Sequence, residues 1–311
     1  MINSNNKNYK RLLLLSITLL FSSAYLSAFA IQTNKDQTNI IALMTELAES
    51  GDAEAQYNLA VAFVKGDYIA QNFQLAAKWW TAAAAQNYIP AIFNLGQLYA
   101  KGHGVEKSYD RAIELWDRAA KRGHIRAQAQ LGDSYAFGIG VEKDFKKALK
   151  WYSASAKQGY APAQFNLGVI YEKGKGVKKN LGQALRWLRF AADQNYTPAQ
   201  HNLGVILSEG RDIATNYPEA IKWLTSAAKK NNVYSQYRLG KIYEEGLGTN
   251  QDKKAAYMWY ALSLKGGLKL AEMDVKRLRR QLTQSQIHQA AHSIQSWNQN
   301  MPNRNIVDVV H

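Results

Sequence analysis

The 311 residues contain no cysteine and only five prolines. The first absence excludes disulfides, cysteine-ligated zinc and thiol catalysis; the second leaves long stretches without a helix breaker. No period-2 alternation of apolar and polar residues marks a strand. Beyond residue 30 no stretch is apolar enough to span a bilayer. Acid is also scarce: 24 Asp and Glu stand against 39 Lys and Arg, a net charge of +15. That balance suits an anionic partner, whether nucleic acid, a membrane surface or an acidic protein. Hydrophobic residues make up 47% of the chain, enough for a large core.

Residues 1–30 read as an export signal. Lys7, Lys10 and Arg11 form a basic start, LLLLSITLLF (12–21) an apolar core, and Ala28-Phe29-Ala30 a small-residue cleavage site. The apolar run is shorter than the roughly 20 residues a spanning helix needs, which disfavours an uncleaved anchor. With no cysteine near the cleavage point, a bacterial lipoprotein is excluded. The mature chain would begin near Ile31 with three fewer positive charges, +15 − 3 = +12. The expectation is an exported protein, periplasmic or secreted.

The rest of the chain repeats itself. Leu-Gly occurs at 95–96, 131–132, 167–168, 203–204 and 239–240, with Leu59-Ala60 one step earlier, and every step is 36 residues. Ala76, Ala112, Ala148, Ala184, Ala220 and Ala256 keep that step, as do Trp79, Trp151, Trp187, Trp223 and Trp259 with Leu115 standing in once. Ala55, Leu59, Ala60 and Phe63 fall on one face of a first helix. The Gly66 series ends that helix, in a left-handed conformation only glycine takes cheaply. Asn72, Ser108, Asp144, Asn180, Asn216 and Asp252 are N-caps of a second helix. Ala76, Trp79, Ala83 and Ala84 line its inner face, with the tryptophans as core between helices. Asn87, Gly123, Gly159, Asn195, Asn231 and Gly267 end it, and Pro90, Pro162 and Pro198 fit the first turn of the next. The Gly-x-Gly at 138–140, followed by a lysine-rich helix, imitates a phosphate loop. Its recurrence at 102–104, 174–176 and 246–248 makes it a helix-to-helix turn instead.

The unit resembles the Sel-1-like repeat, a relative of the tetratricopeptide repeat. In the third unit the matching residues are Ala127, Leu131, Gly132, Tyr135, Gly138, Gly140, Val141, Asp144, Lys147, Ala148, Trp151, Tyr152 and Gly159. Departures are Ala60 for glycine, and Tyr68 and Asp212 for the second glycine of the turn; these are expected to change turn geometry. The resemblance implies an all-α fold, a right-handed superhelical solenoid of antiparallel helix pairs that serves as an adaptor or scaffold for other proteins. The expected organisation is a signal peptide at 1–30, an N-terminal capping helix at 31–54, six 36-residue units over 55–270, C-terminal capping helices at 271–298, and a disordered tail at 299–311. Thr283 would cap the last helix, with Ile287, Ala291 and Ile294 on one side.

In such a superhelix the first helices line the concave side. The exposed face of each first helix carries three rows. The first is Tyr57, Phe93, Ala129, Phe165, His201 and Tyr237. The second is Val61, Gln97, Asp133, Val169, Val205 and Lys241, and the third is Lys65, Lys101, Phe137, Lys173, Glu209 and Glu245. The second and third rows vary while the core series stay constant, as a specific protein- or peptide-binding face would. The first is aromatic enough to be half-buried packing. The third would give a groove basic over its N-terminal half and acidic at its C-terminal end. Asn58, Asn94, Asn166 and Asn202 hardly vary and read as structural hydrogen-bonders.

Other chemistry is weak. His288 and His292 stand four apart on a helix but lack a third ligand, so no metal, cofactor or catalytic set is expected. Nucleic acid does not fit an exported chain whose charge is spread over its units. One dense patch, Lys173, Lys175, Lys178 and Lys179, could meet an anionic envelope surface. The reading that results is a monomeric, non-catalytic scaffold of the cell envelope or the exterior. It would regulate a cell-wall enzyme or engage a host protein; the alternative is an enzyme or binder acting on cell-wall material.

Overall fold

The computed structural model describes residues 34–299 apart from Asp67 and Arg211. The export-signal segment 1–30 lies outside the described residues, as does the tail apart from Gln299. The chain divides into two compact units, Met1–Trp151 and Tyr152–His311.

Every described element is helical. The first unit holds α1 (Asn34–Glu49), α2 (Ala53–Lys65), α3 (Phe73–Ala85), α4 (Ile89–Lys101), α5 (Tyr109–Lys121) and α6 (Ile125–Phe137). The division falls inside α7 (Phe145–Lys157). The second unit continues with α8 (Ala161–Lys173), α9 (Leu181–Asp193), α10 (Thr197–Glu209), α11 (Tyr217–Ala228), α12 (Val233–Glu245) and α13 (Lys253–Lys265). A 3-10 turn (Lys269–Ala271), α14 (Glu272–Gln281) and α15 (Gln284–Gln299) complete it. Within each unit, consecutive helices pack in pairs, and each pair packs on the next.

The punctuation follows local chemistry. Each of the six N-cap residues accepts from a backbone N–H of its helix's first turn, from Leu75 N to Asn72 Oδ1 at 2.9 Å through Ala255 N to Asp252 Oδ1 at 2.9 Å. Gly66 and its five equivalents have φ between 64° and 73°. The second-helix stops at 87, 123, 159, 195, 231 and 267 are all left-handed.

Tyr68 and Asp212 depart from expectation, because they do not change the turn. Their φ values are 65° and 60°, beside 66–70° for Gly104, Gly140, Gly176 and Gly248. The space differs although the backbone does not: a Cβ on Gly104 would stand 2.2 Å from the Phe73 carbonyl carbon, whereas Tyr68 is 52% exposed and Asp212 reaches Lys179 at 2.6 Å. The left-handed cost for an L-residue is about 1–2 kcal/mol. Tyr68→Gly is therefore expected to raise the unfolding free energy by about 0.5–1 kcal/mol after glycine's own entropy is discounted, as read by denaturant melting.

The tryptophan series also needs correcting. Trp223 and Trp259 are buried core, as expected, but Trp79, Trp151 and Trp187 are only half-buried. The fully packed series comes one residue later: Trp80, Trp116, Tyr152, Leu188, Leu224 and Tyr260 are 5, 1, 1, 0, 0 and 0% exposed. These side chains fill the space that the Leu-Gly glycines leave open. A Cβ on Gly96 would lie 2.6 Å from Trp116 Nε1, on Gly204 2.6 Å from Leu224 Cγ, and on Gly240 2.6 Å from Tyr260.

A buried glutamine ties the pairs together. Gln56, Gln128, Gln164, Gln200 and Gln236 donate from Nε2 to the carbonyls of Ala48, Ala120, Ala156, Ala192 and Ala228 at 3.0–3.3 Å. Ile92 occupies this position once, and there Arg118 Nη2 reaches the Ala84 carbonyl at 2.5 Å and Asn87 Oδ1 at 2.7 Å. Asn58 Nδ2, by contrast, is buried without a partner. Asn94 meets the Tyr57 hydroxyl only at 3.5 Å.

At the C-terminal end the 3-10 turn and α14 stand in the register of a seventh first helix, with Ala271 buried like Ala55. Lys276 and Arg279, both exposed, occupy the positions held by Ala60 and Phe63 in the first pair. Charge thus replaces the surface that would receive a second helix. α15 packs mainly on α13, where Trp297 meets Trp259 edge-on at 4.8 Å. Its buried side is Ala290 with half-buried Ile287, Ile294 and Trp297, while Ala291 is exposed. Thr283 and Gln286 cap α15 reciprocally, Gln286 N donating to Thr283 Oγ1 at 3.2 Å and Thr283 N to Gln286 Oε1 at 2.9 Å.

Candidate functional site

The three rows of the first-helix face differ in depth. The 57 row is packing: Phe93 and Ala129 are buried and Tyr57, Phe165, His201 and Tyr237 half-buried. Its rings meet the start of the next first helix. Tyr57 lies 5.3 Å from Tyr88, Phe93 4.6 Å from His124 and Phe165 5.6 Å from Tyr196. His201 lies 6.2 Å from the Tyr234 ring, and its Nδ1 is 2.8 Å from Ser235 Oγ. Burial, with Arg238 adding to it, lowers the His201 pKa to about 4.

The 61 row is half-buried at Val61, Gln97, Asp133, Val169 and Val205 and exposed at Lys241. The 65 row is exposed at Lys65, Lys101, Phe137, Lys173 and Glu245, and half-buried at Glu209. The first unit therefore presents Val61, Lys65, Gln97, Lys101, Asp133 and Phe137. The second presents Val169, Lys173, Val205, Glu209, Lys241 and Glu245.

The expected charge gradient is blunted. Glu209 is ion-paired with Arg238, and Lys173 lies 3.1 Å from Glu172. Lys241 lies over the Tyr237 ring at 5.8 Å. In the lysine-rich turn, Lys179 is 2.6 Å from Asp212, so Lys173 and Lys179 both face carboxylates. His288 and His292 are both exposed, and no group of three or more His, Asp or Glu among the described residues could hold a metal ion.

One further step of 36 residues carries the rows onto α14, at Met273 (57 row) and Arg277 (61 row). Met273 is 74% exposed, while Arg277 is drawn into a network. Its Nη2 donates to Glu244 Oε2 at 3.0 Å and Asp274 Oδ1 at 2.7 Å. Tyr260 and Tyr237 donate their hydroxyls to the same two carboxylates at 3.0 and 3.1 Å. Arg277 holds the Glu244 carboxyl below its ordinary range.

A Sel1 repeat family model matches six consecutive segments, 53–88, 89–124, 125–160, 161–196, 197–232 and 233–268. The chain belongs to the Sel1 repeat family. Each matched Sel1 repeat begins at the first residue of a first helix. Two solved structures of this family resemble the chain. A Sel1 repeat protein from Oxalobacter formigenes is 28% identical with a TM-score of 0.64, over 75% of this chain and 99% of that one. A protective antigen present in uropathogenic Escherichia coli strains, displaying an SLR fold, is 25% identical with a TM-score of 0.55, over 87% and 68%. None of the curated proteins matches the chain. Sel1 repeat proteins generally act as protein–protein interaction scaffolds.

Proposed function

We propose that this Sel1 repeat chain is an exported, non-catalytic scaffold that holds a protein, or an extended segment of one, along its first-helix face. The observation that carries this reading is the contrast between rows. The buried Ala55, Leu59 and Ala76 series repeat almost without change from pair to pair, while the accessible 61 and 65 positions carry Val, Gln, Asp and Lys, and Lys, Phe and Glu. A frame held constant beneath a varied surface is what recognition of one particular partner requires. The basic, short-cored segment at residues 1–30 supports export. An envelope or extracellular partner follows from that, a cell-wall enzyme or a host protein being the two kinds the reading admits.

Site-specific photo-crosslinking in the native cell tests it. A photoreactive residue placed at Gln97, Val169 or Lys241 is expected to capture one discrete protein, identified by mass spectrometry. The same residue at exposed Lys222, on second helix α11, is expected to capture none. Capture of the same species from Lys222, or none from all three face sites, would remove the face from consideration.

A further inference from the structure

Phe137 breaks the pattern of its row. At every other step the 65 position is Lys or Glu, yet here a phenylalanine stands 70% exposed. It is not a stray residue, because Ile139 and Tyr109 beside it are 39% and 36% exposed. The turn that follows Phe137 rests on Tyr109, since a Cβ on Gly140 would lie 2.6 Å from Tyr109 Cβ.

The apolar surface runs into basic charge in one direction. Lys107 Nζ lies over the Tyr109 ring at 5.1 Å. The Lys107 backbone rests against Gly102, where a Cβ would meet Lys107 Cβ at 3.1 Å. Gly102 follows Lys101, the exposed cation of the same row on the neighbouring first helix, and Lys65 repeats the charge one helix earlier. Glu106 and Glu142 stand in the same turns, each next to a lysine that folds over an aromatic ring, Lys107 over Tyr109 and Lys143 over Phe145.

From this juxtaposition we infer that the first unit recognises an extended peptide carrying an acidic side chain three residues from an aromatic or large aliphatic one. The acid meets Lys101 and the apolar side chain meets Phe137, Ile139 and Tyr109. The three-residue interval follows from the usual spacing of helices. Packed helices stand about 8–10 Å apart, and an extended chain advances about 3.3 Å per residue. The inference rests on the proposed peptide-binding role of the first-helix face and names the chemistry that face selects.

The test is selection of phage-displayed random dodecapeptides on the full chain, followed by affinity measurement on variants. Lys101→Glu and Phe137→Ser change exposed side chains, so their thermal melting should match the parent. Enriched peptides are expected to share the acid–x–x–apolar spacing, and each variant should weaken them at least about tenfold. Selection on Lys101→Glu should replace the acid by a base. If enriched peptides lack that spacing and ignore both variants, yet lose binding on Val205→Lys, the face still binds peptides but this inference is wrong. If none is enriched, or enriched peptides ignore all three substitutions, the face reading falls with it.

Discussion

Trp116→Ala is expected to lower the unfolding free energy by about 3 kcal/mol, and Trp79→Ala by distinctly less. Removing a fully buried tryptophan costs about 3–5 kcal/mol in lost transfer energy and residual cavity. Trp116 is 1% exposed, and its indole Nε1 is buried without a hydrogen-bond partner. Losing that unsatisfied N–H returns part of the cost, which places the value at the lower end. The cavity would open against Gly96, whose missing Cβ leaves room for the indole. Gly96→Ala should therefore destabilise the parent by forcing a contact near 2.6 Å, yet be tolerated or favourable beside Trp116→Ala. A double-mutant cycle in chemical denaturation would show strong non-additivity between the two. Equal losses at Trp79 and Trp116 would contradict the packing described here.

Acid should weaken the second unit before its carboxylates titrate. His201 has a folded-state pKa of about 4 against an ordinary value of 6.5. Between those values the unfolded chain takes up a proton that the folded chain refuses, so stability falls as pH falls. The His201 contribution is complete above pH 6.5 and is lost progressively on the way down to about pH 4. Each pH unit is worth about 1.4 kcal/mol, which sets a ceiling of about 3.5 kcal/mol. The groups facing the ring are Ser235, Tyr234 and Arg238, the last already paired with Glu209. Glu219 and Glu244, held down first by Arg189 and Arg277, lose their contributions only as pH falls below their ordinary 4.5. The two windows are thus separable. His201→Phe keeps a ring beside Tyr234 and should flatten the stability profile between pH 6.5 and 4.5, measured by urea melts at stepped pH. An unchanged slope would show that His201 is not protected from protonation.

Much of the architecture is legible in the residues because a 36-residue step samples each position six times. Caps and stops could be read one by one, since asparagine, aspartate and glycine have few reasons to recur at a fixed interval. Depth within a helix was harder. Trp79 and Trp80 are one residue, about 100°, apart on the helix, and the recurring tryptophan drew attention away from the position where Trp, Tyr and Leu interchange. That interchange hides the most buried series, because packing against a glycine selects volume rather than residue type. Glutamine escaped notice for a related reason: a polar side chain at a helix face reads as surface until the carbonyl it must reach is placed. At Tyr68 and Asp212 the residue type argues against a left-handed turn, yet the backbone keeps it. For the candidate face, periodicity marks which positions are accessible. The partners that close some of them, such as Arg238 on Glu209, come from neighbouring helices and have no fixed sequence spacing.

The glutamine ladder also gives the array a polarity. In each rung the donor belongs to a first helix and the acceptor to the second helix before it. A hairpin that has just emerged during synthesis is therefore unfinished on one side only. Its last carbonyl waits for an amide that the ribosome has not yet delivered, while its own glutamine already has somewhere to go. At the seventh step the position is Glu272, which has no N–H to offer and turns to Lys276 instead. Assembly in the order of synthesis would satisfy each rung as it forms, and Glu272, Lys276 and Arg279 together mark where the ladder closes.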